Sequence, residues 1–155
     1  MGFNSTRERQ QPRVTARRDV QQARFEEYFA RVFAYGLGAT GSEEAARRLT
    51  VAAFAEAFAL PDMREPEFEL EIFRVARNIA RTLSGSRSQF RDGLTGRERD
   101  VLALVFDGQL QRDQVGSLLS LRPETVLGIL LKGLRKMRDP MPAAALPAIP
   151  EFYRA

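Results

Sequence analysis

The stretch that decides the fold is VLALVFDGQLQRDQVGSLLSLRPETVLGILLKGLRKMR, residues 101–138. Its apolar residues recur three and four positions apart, which is the spacing of amphipathic helices. Gly108 is a typical helix end, and Pro123 suits the first position of a helix, where its missing N–H removes no hydrogen bond. The pattern therefore predicts one helix, a turn, and then two helices arranged as a helix-turn-helix.

The last helix of this stretch carries apolar residues on almost all sides. Its expected buried stripe consists of Val126, Leu130, Leu134 and Met137. Leu127, Ile129 and Leu131 fall outside that stripe, and a monomer rarely exposes so many large apolar side chains on one helix. A helix-turn-helix is typical of DNA-binding proteins, but their second helix presents polar and basic groups to the major groove. We therefore expect another surface to cover this helix.

Composition argues against an enzyme. The 155-residue chain contains no Cys and no His, so it lacks thiolate chemistry and also the commonest general base and metal ligand. It has no glycine-rich phosphate loop and no metal-binding spacing. No run approaches the ~18 apolar residues of a membrane span, and the N-terminus lacks the apolar segment of a signal peptide. We predict a cytoplasmic protein with no catalytic site, metal, cofactor or membrane partner.

The positive charge is concentrated at the N-terminus. Residues 1–24 contain six arginines and two acidic residues, which accounts for the whole formal net charge of +4. Because this segment has few apolar groups to bury, we predict that it is a disordered arm. Such an arm is suited to phosphate contact, and it is equally suited to keeping the protein in solution.

The rest of the chain shows helical spacing and no strand pattern, so we predict an all-α fold. Apolar residues predict three helices, from Phe25 to about Leu37, from Ser42 to about Leu60 and from about Glu67 to Leu83. Thr95 and Glu98 form the T-x-x-E pattern of a capping box, which opens a second helical unit. We divide the chain into an arm (1–24), a helical domain (25–83), a linker (84–93), a helix-turn-helix domain (94–139) and a Pro-rich apolar tail (140–155).

Two blocks of this sequence resemble the extracytoplasmic-function sigma factors of bacterial RNA polymerase. The first comprises RVFAYGLGATGSEEAARRLTVAAFAEAF and FRVARNIARTL; the second is LTGRERDVLALVFDGQLQRDQVGSLLSLRPETVLGILLKGLRKMRD. The resemblance covers about residues 25–139. It implies a three-helix domain similar to sigma region 2, which binds core RNA polymerase and melts the promoter −10 element. It also implies a helix-turn-helix domain similar to region 4, which binds the −35 element.

Candidate DNA-binding residues lie on two helices: the resemblance implies the set on the third helix, and the set on the last helix consists of the polar residues that remain at its ends. On the third helix and just after it they are Arg74, Arg77, Asn78, Arg81 and Arg87. At the two ends of the last helix they are Arg122, Glu124, Thr125, Lys132, Arg135 and Lys136. Phosphate contact needs exposed Arg or Lys, but a solvated basic face also fits the first set. The cations at the end of the last helix would also complement its dipole.

The sequence departs from the family where the family contacts its partners. Arg47, Arg48 and Leu49 stand where most members carry an acidic and Gln-bearing run that binds the polymerase. Leu127-Gly128-Ile129 replaces a Lys-Ser-Arg type run, and Leu131 replaces another polar residue. We therefore assign Arg47, Arg48, Leu49, Leu127, Ile129 and Leu131 to polymerase or other protein contact.

Two hypotheses follow from these departures. The chain is either a divergent sigma factor, or a sigma-like protein that acts through protein contacts as a decoy for an anti-sigma factor or as a transcriptional co-regulator. The expected cover of the last helix is the tail, an anti-sigma factor or a second copy of the chain.

Overall fold

The computed structural model describes residues 11–83 and 93–139. Over these two ranges the chain is helical, and the all-α prediction is confirmed. The helices are α1 (Gln11–Thr40), α2 (Glu43–Ala59), α3 (Glu65–Leu83), α4 (Gly96–Leu102, continued by a π-helical turn, Ala103–Asp107), α5 (Arg112–Leu119) and α6 (Pro123–Arg138). The predictions for residues 1–10, for the linker with Arg87, and for the tail from residue 140 lie outside the described residues.

Helix α1 begins at Gln11, so the prediction of a disordered arm is wrong for residues 11–24. Arginines of this segment bind partners in the fold. Arg24 is buried, donates to the Glu65 carboxylate at 2.8 Å and to a backbone carbonyl, and lies 4.4 Å above the ring of Phe68. Arg17 donates to the Phe58 carbonyl oxygen at 3.2 Å. The amino-acid composition gives the number of arginines, but it cannot show that Arg17 and Arg24 contact residues 41 positions further along the chain.

Helices α1, α2 and α3 pack around one another. Tyr28, Val32 and Tyr35 of α1 are buried against Ile72 and Phe73 of α3 and the apolar face of α2. The Ser42 side chain accepts the Ala45 N–H and caps α2. At Gly36 the two backbones approach so closely that a Cβ would lie 3.2 Å from the Leu49 side chain.

Helices α4, α5 and α6 pack against one another, and we call these three helices the helix-turn-helix unit. Thr95 accepts the Glu98 N–H while the Glu98 carboxylate accepts the Thr95 N–H, which confirms the capping box. A three-residue turn joins α5 to α6 and starts at Ser120, whose φ of 55° is left-handed. Gly116 faces this turn, because a Cβ there would lie 2.6 Å from the Leu121 carbonyl oxygen.

The buried stripe of α6 differs from the prediction. Val126 and Gly133 are buried, whereas Leu134 is 36% exposed. Helix α4 approaches α6 at Gly133, where a Cβ would lie 3.0 Å from the Leu102 side chain. The buried side of α6 therefore contains Val126 and Gly133, and Leu134 lies outside it. Ile129, expected outside the stripe, is half-buried against the core.

The two halves of the chain share one core. Phe73 of α3 meets Tyr35 edge-on, with ring centroids 6.0 Å apart, and its ring lies so close to Gly108 that a Cβ there would be 2.9 Å from Cε1. Leu104, Leu110 and Val115 of the helix-turn-helix unit belong to the same buried cluster as α1–α3. In the described residues, the apolar interior therefore continues across the predicted domain boundary.

Candidate nucleic-acid and protein interfaces

Helix α3 carries a polar outward face. Arg74, Asn78 and Arg81 are exposed and follow the i, i+4, i+7 spacing of one helix side. Arg74 donates to the Glu71 carboxylate, and this hydrogen bond raises the pKa of the guanidinium. The structure thus brings three of the predicted DNA contacts to one exposed face, with the charge of Arg74 partly neutralised.

Arg77, the fourth predicted contact on α3, faces the second half of the chain. Its Nε and Nη2 atoms donate to one oxygen of Asp100 at 3.1 and 2.9 Å. The side chains of Arg77 and Asp100 are only 24% and 31% exposed. A carboxylate of α4 therefore takes the donors that sequence reasoning assigned to DNA.

The N-terminal end of α6 is open to solvent. Arg122, Glu124 and Thr125 are exposed there, and a Cβ at Gly128 would meet nothing within 4 Å. In helix-turn-helix proteins this end of the second helix contacts bases. The predicted residues at the start of α6 are therefore in a position to touch a ligand.

The C-terminal cations of α6 do not all share one environment. Lys132 and Arg135 are exposed and form no ion pair with the described part of the chain. Lys136 instead donates to the buried Glu98 carboxylate at 2.9 Å. The Thr95 N–H and Lys136 hold the pKa of Glu98 below its ordinary value. Lys136 therefore satisfies a buried carboxylate that also caps α4.

The apolar residues assigned to protein contact on α6 are unequally exposed. Leu131 is 45% exposed, but Leu127 and Ile129 are half-buried, and Ile129 packs against the core. The prediction that all three form one contact surface is therefore wrong in its extent. The exposed apolar positions on this side of α6 are Leu131 and Leu134.

The three residues assigned to protein contact on α2 also differ in exposure to solvent. Arg47 and Arg48 are exposed and pair with Glu43 and Glu44 one helical turn earlier. Leu49 is fully buried, with its side chain close to Gly36 of α1. The prediction of a Leu49 contact is wrong, because this side chain fills the α1–α2 interface.

Sequence reasoning missed an exposed aromatic stripe on α1. Phe25, Phe29, Phe33 and Leu37 lie four residues apart, and Phe25, Phe29 and Leu37 are each 42% exposed. The Phe25 and Phe29 rings lie 5.1 Å apart, and Phe29 stacks on Phe33 at 6.1 Å. The signal was available: Tyr28, Val32 and Tyr35 already supply a complete buried stripe, so a second apolar stripe had to face elsewhere.

Helix α2 extends this stripe into a larger surface. Phe25 packs on Phe54 of α2 at 4.9 Å between ring centroids. Arg47 and Val51 lie seven and three residues before Phe54, which places all three on one side of α2. Val51 is 71% exposed. We call the surface formed by Phe25, Phe29, Phe33, Leu37, Arg47 and Val51 the α1–α2 face.

We also searched the described residues for metal-binding clusters, unsatisfied buried polar groups and membrane-spanning helices. Among them, no group of three or more carboxylates is placed to hold a metal ion. Every buried side-chain nitrogen and oxygen in that part of the chain has a hydrogen-bond partner. No helix described here is long and apolar enough to cross a bilayer.

Comparison of the chain with models of protein families, with curated proteins and with solved structures finds no match in any of the three.

Proposed function

We propose that this chain is a sigma-factor-like transcription initiation protein that binds core RNA polymerase and promoter DNA. The observation that carries the proposal is the α1–α2 face. Folded monomers rarely leave a continuous stripe of large apolar side chains in water unless it binds something. The stripe adjoins α2 through the Phe25–Phe54 contact, and α2 carries Arg47 and Arg48, where the sequence resemblance expects polymerase contact. Exposed aromatic and Arg side chains are also typical of protein interfaces.

The DNA-binding part of the proposal is supported by two exposed polar surfaces. One is the α3 face with Arg74, Asn78 and Arg81, and the other is α6 with Arg122, Thr125, Lys132 and Arg135 at its two ends. Both helices belong to the elements that the resemblance assigns to the −10 and −35 contacts. Their arginines and lysines suit phosphate, whereas the middle of α6 offers few groups that could distinguish bases.

The second candidate function is a sigma-like co-regulator or anti-sigma decoy with little sequence-specific DNA binding. Gly128, Leu131 and Leu134 favour it, because they present no hydrogen-bonding side chain on the exposed side of α6. The α1–α2 face serves this function equally well, with an anti-sigma factor as its partner. The two functions therefore differ in whether polymerase is captured and promoter-specific transcripts appear.

Capture of purified core RNA polymerase by the full chain, followed by run-off transcription on genomic fragments, tests the proposal. We expect wild type to bind polymerase and to start transcripts at defined positions. The double substitution Phe29→Ser and Phe33→Ser should weaken capture at least tenfold, since hot-spot aromatics typically contribute ~2 kcal/mol or more each.

Val20→Ser is the matched control. Val20 is exposed on the same helix. Because successive residues of an α-helix are rotated by about 100°, Val20 lies on the side of α1 opposite Phe29 and Phe33. It should leave capture unchanged. Polymerase binding that survives the double substitution would contradict docking through the α1–α2 face. Failure of wild type to bind polymerase, together with capture of a purified anti-sigma factor, would favour the second function.

A further inference from the structure

We propose that the exposed apolar side of α6 binds the segment that follows it in the chain, residues 140–155. In this contact the segment turns after α6 and runs back along the helix as an extended strand. A protein or nucleic acid that binds the same side of α6 must first displace the segment. The contact does not depend on which of the two candidate functions is correct.

The binding surface on α6 is an apolar stripe that extends towards the end of the helix. Leu127, Leu131 and Leu134 follow the i, i+4, i+7 spacing of one helix side. Leu131 and Leu134 are 45% and 36% exposed, and Leu127 is half-buried. At a rise of 1.5 Å per residue the stripe is about 10 Å long, and it ends one turn before Arg138, the last residue of α6. The stripe therefore lies next to the point where the segment begins.

The segment carries large apolar residues at the spacing of an extended strand. Its sequence is PMPAAALPAIPEFYRA, with proline at positions 140, 142, 147 and 150. Proline fixes φ and has no N–H, so this spacing favours a polyproline II helix over an α-helix. A polyproline II helix has three residues per turn, and Leu146, Ile149 and Phe152 are three residues apart. One side of the segment is therefore apolar over residues 146–152.

The repeat of the segment matches the length of the stripe on α6. Residues three apart in a polyproline II helix are separated by about 9 Å, since each residue advances it by about 3.1 Å. Leu127 and Leu134 are separated by about 10 Å along α6. An antiparallel strand that has Leu146 at the level of Leu134 therefore meets the stripe again one strand turn later. That position is held by Ile149, which then lies at the level of Leu127.

The segment is long enough for this return. Leu134 lies about 7 Å back along the axis from Asp139, and residues 140–145 are available for the turn. Beyond Ile149, a further strand turn of about 9 Å brings Glu151 to the start of α6. Arg122 is exposed there and offers a cation to the Glu151 carboxylate. The apolar and the charged residues of the segment therefore both have partners along α6.

Covalent attachment favours this segment over a separate partner. A segment joined directly to the end of α6 is present at an effective concentration of roughly millimolar. A contact with a dissociation constant of about 0.1 mM is therefore formed most of the time in each molecule. A polyproline II strand also loses little conformational entropy on binding, because it is already extended. An unattached protein has neither advantage on this surface.

The contact can be measured in the full-length protein with a single tryptophan. The chain has no Trp, so Phe152→Trp places one probe in the segment. We expect acrylamide to quench this tryptophan about threefold less than in a chain that also carries Leu131→Ser and Leu134→Ser, because a bound aromatic side chain is shielded from solvent. Val14→Ser is the matched control, because it removes a 53% exposed apolar side chain from α1. It should leave quenching unchanged, and circular dichroism establishes that each variant is folded.

Disulfide formation tests the position of the segment on α6. The chain has no native Cys, so Leu127→Cys with Ile149→Cys gives a single pair. Thr125→Cys with Ile149→Cys is the matched control, because Thr125 is exposed two residues away but points about 160° from Leu127 around the helix. Under mild oxidation the Leu127 pair should form its intramolecular disulfide at least about tenfold faster than the Thr125 pair, since bound groups are held close together.

Four results would contradict the contact. Equal quenching with and without the two serine substitutions on α6 would overturn it and leave this side of α6 to another protein. Protection that disappears on dilution would also overturn it, since the segment would then bind α6 of a second copy. Increased quenching in the Val14→Ser control would place the segment elsewhere on the molecule. Equal disulfide rates for the Leu127 and Thr125 pairs would show that the segment does not follow the stripe.

Discussion

Gly108 shows how one residue joins the two halves of the molecule. Any residue can adopt its φ of −77°. The position requires glycine because there is no room for a side chain, and not because of the backbone conformation. A Cβ there would lie 2.9 Å from Cε1 of Phe73 and 2.8 Å from the Leu104 carbonyl oxygen. Phe73 is fully buried and Leu104 contributes backbone, so neither can move aside at low cost.

Gly108→Ala should therefore destabilise the protein by about 1–3 kcal/mol, the usual cost of overpacking a well-filled core. Chemical denaturation followed by circular dichroism measures it. Gly128→Ala is the control: Gly128 lies inside exposed α6 with open space around it, so alanine should stabilise by roughly 0.5–1 kcal/mol. Equal stability of the two variants would show that the contact with Phe73 is not tight.

Glu98 makes stability depend on pH on the acid side. Its pKa is depressed mainly by the Thr95 N–H and then by Lys136. A carboxyl with a depressed pKa in the folded state stabilises fully above the ordinary glutamate value, 4.5, and loses this contribution as the pH falls below it.

Unfolding midpoints in urea between pH 7 and pH 3 should therefore fall more steeply in wild type than in Glu98→Gln. The variant should also be less stable at pH 7, because the charge that binds Lys136 is gone. Glu56→Gln removes an exposed carboxylate from α2 and serves as the control for net charge. Parallel pH profiles for wild type and Glu98→Gln would contradict this role of Glu98.

At the scale of elements, α1 and α6 each carry large apolar residues outside their buried sides as well as on them. In α1 the surplus forms the aromatic stripe of the α1–α2 face, and in α6 it leaves Leu131 and Leu134 exposed. Periodicity in the sequence identified both as amphipathic helices, but in α6 it assigned the exposed Leu134 to the buried side. The inward direction is set by the partners, Leu49 at Gly36 and Leu102 at Gly133, which periodicity within one helix cannot show.

Restoring polarity to the exposed side of α6 tests whether this helix can still work as a DNA reader. Leu131→Arg combined with Gly128→Ser adds one charge and one hydroxyl at exposed positions, so the core should not be disturbed. DNA affinity should rise, and the salt dependence should steepen by about one phosphate contact. A titration of labelled duplex at several salt concentrations measures both.

Val51→Arg adds the same charge on the α1–α2 face and is the control. A similar gain in DNA affinity from Val51→Arg would attribute the effect to net charge. Loss of a protein partner in the α6 variant, with no gain in DNA binding, would instead mark this side of α6 as a protein interface.

At the scale of the whole molecule, the continuous core predicts that the two halves unfold together. Leu104→Ala in the helix-turn-helix unit and Ile72→Ala in α3 should each cost about 2–5 kcal/mol and shift one common transition. In each of the three proteins, circular dichroism and tyrosine fluorescence, to which Tyr28 and Tyr35 of α1 contribute, should report the same midpoint, and that midpoint should be lower in both variants than in wild type. Two separate transitions in wild type would contradict a shared core.

The sequence by itself determined the helical class, the capping box at Thr95, the turn between α5 and α6, and the exposed arginines of α3, because these depend on residues within a few positions of one another. Only the tertiary structure decided that residues 11–24 continue α1, that Leu49 is buried, that the aromatic stripe faces solvent, and that Asp100 binds Arg77. These features join residues 13 to 41 positions apart. A local pattern states which side of a helix is apolar, but the neighbouring helices decide which residues they cover.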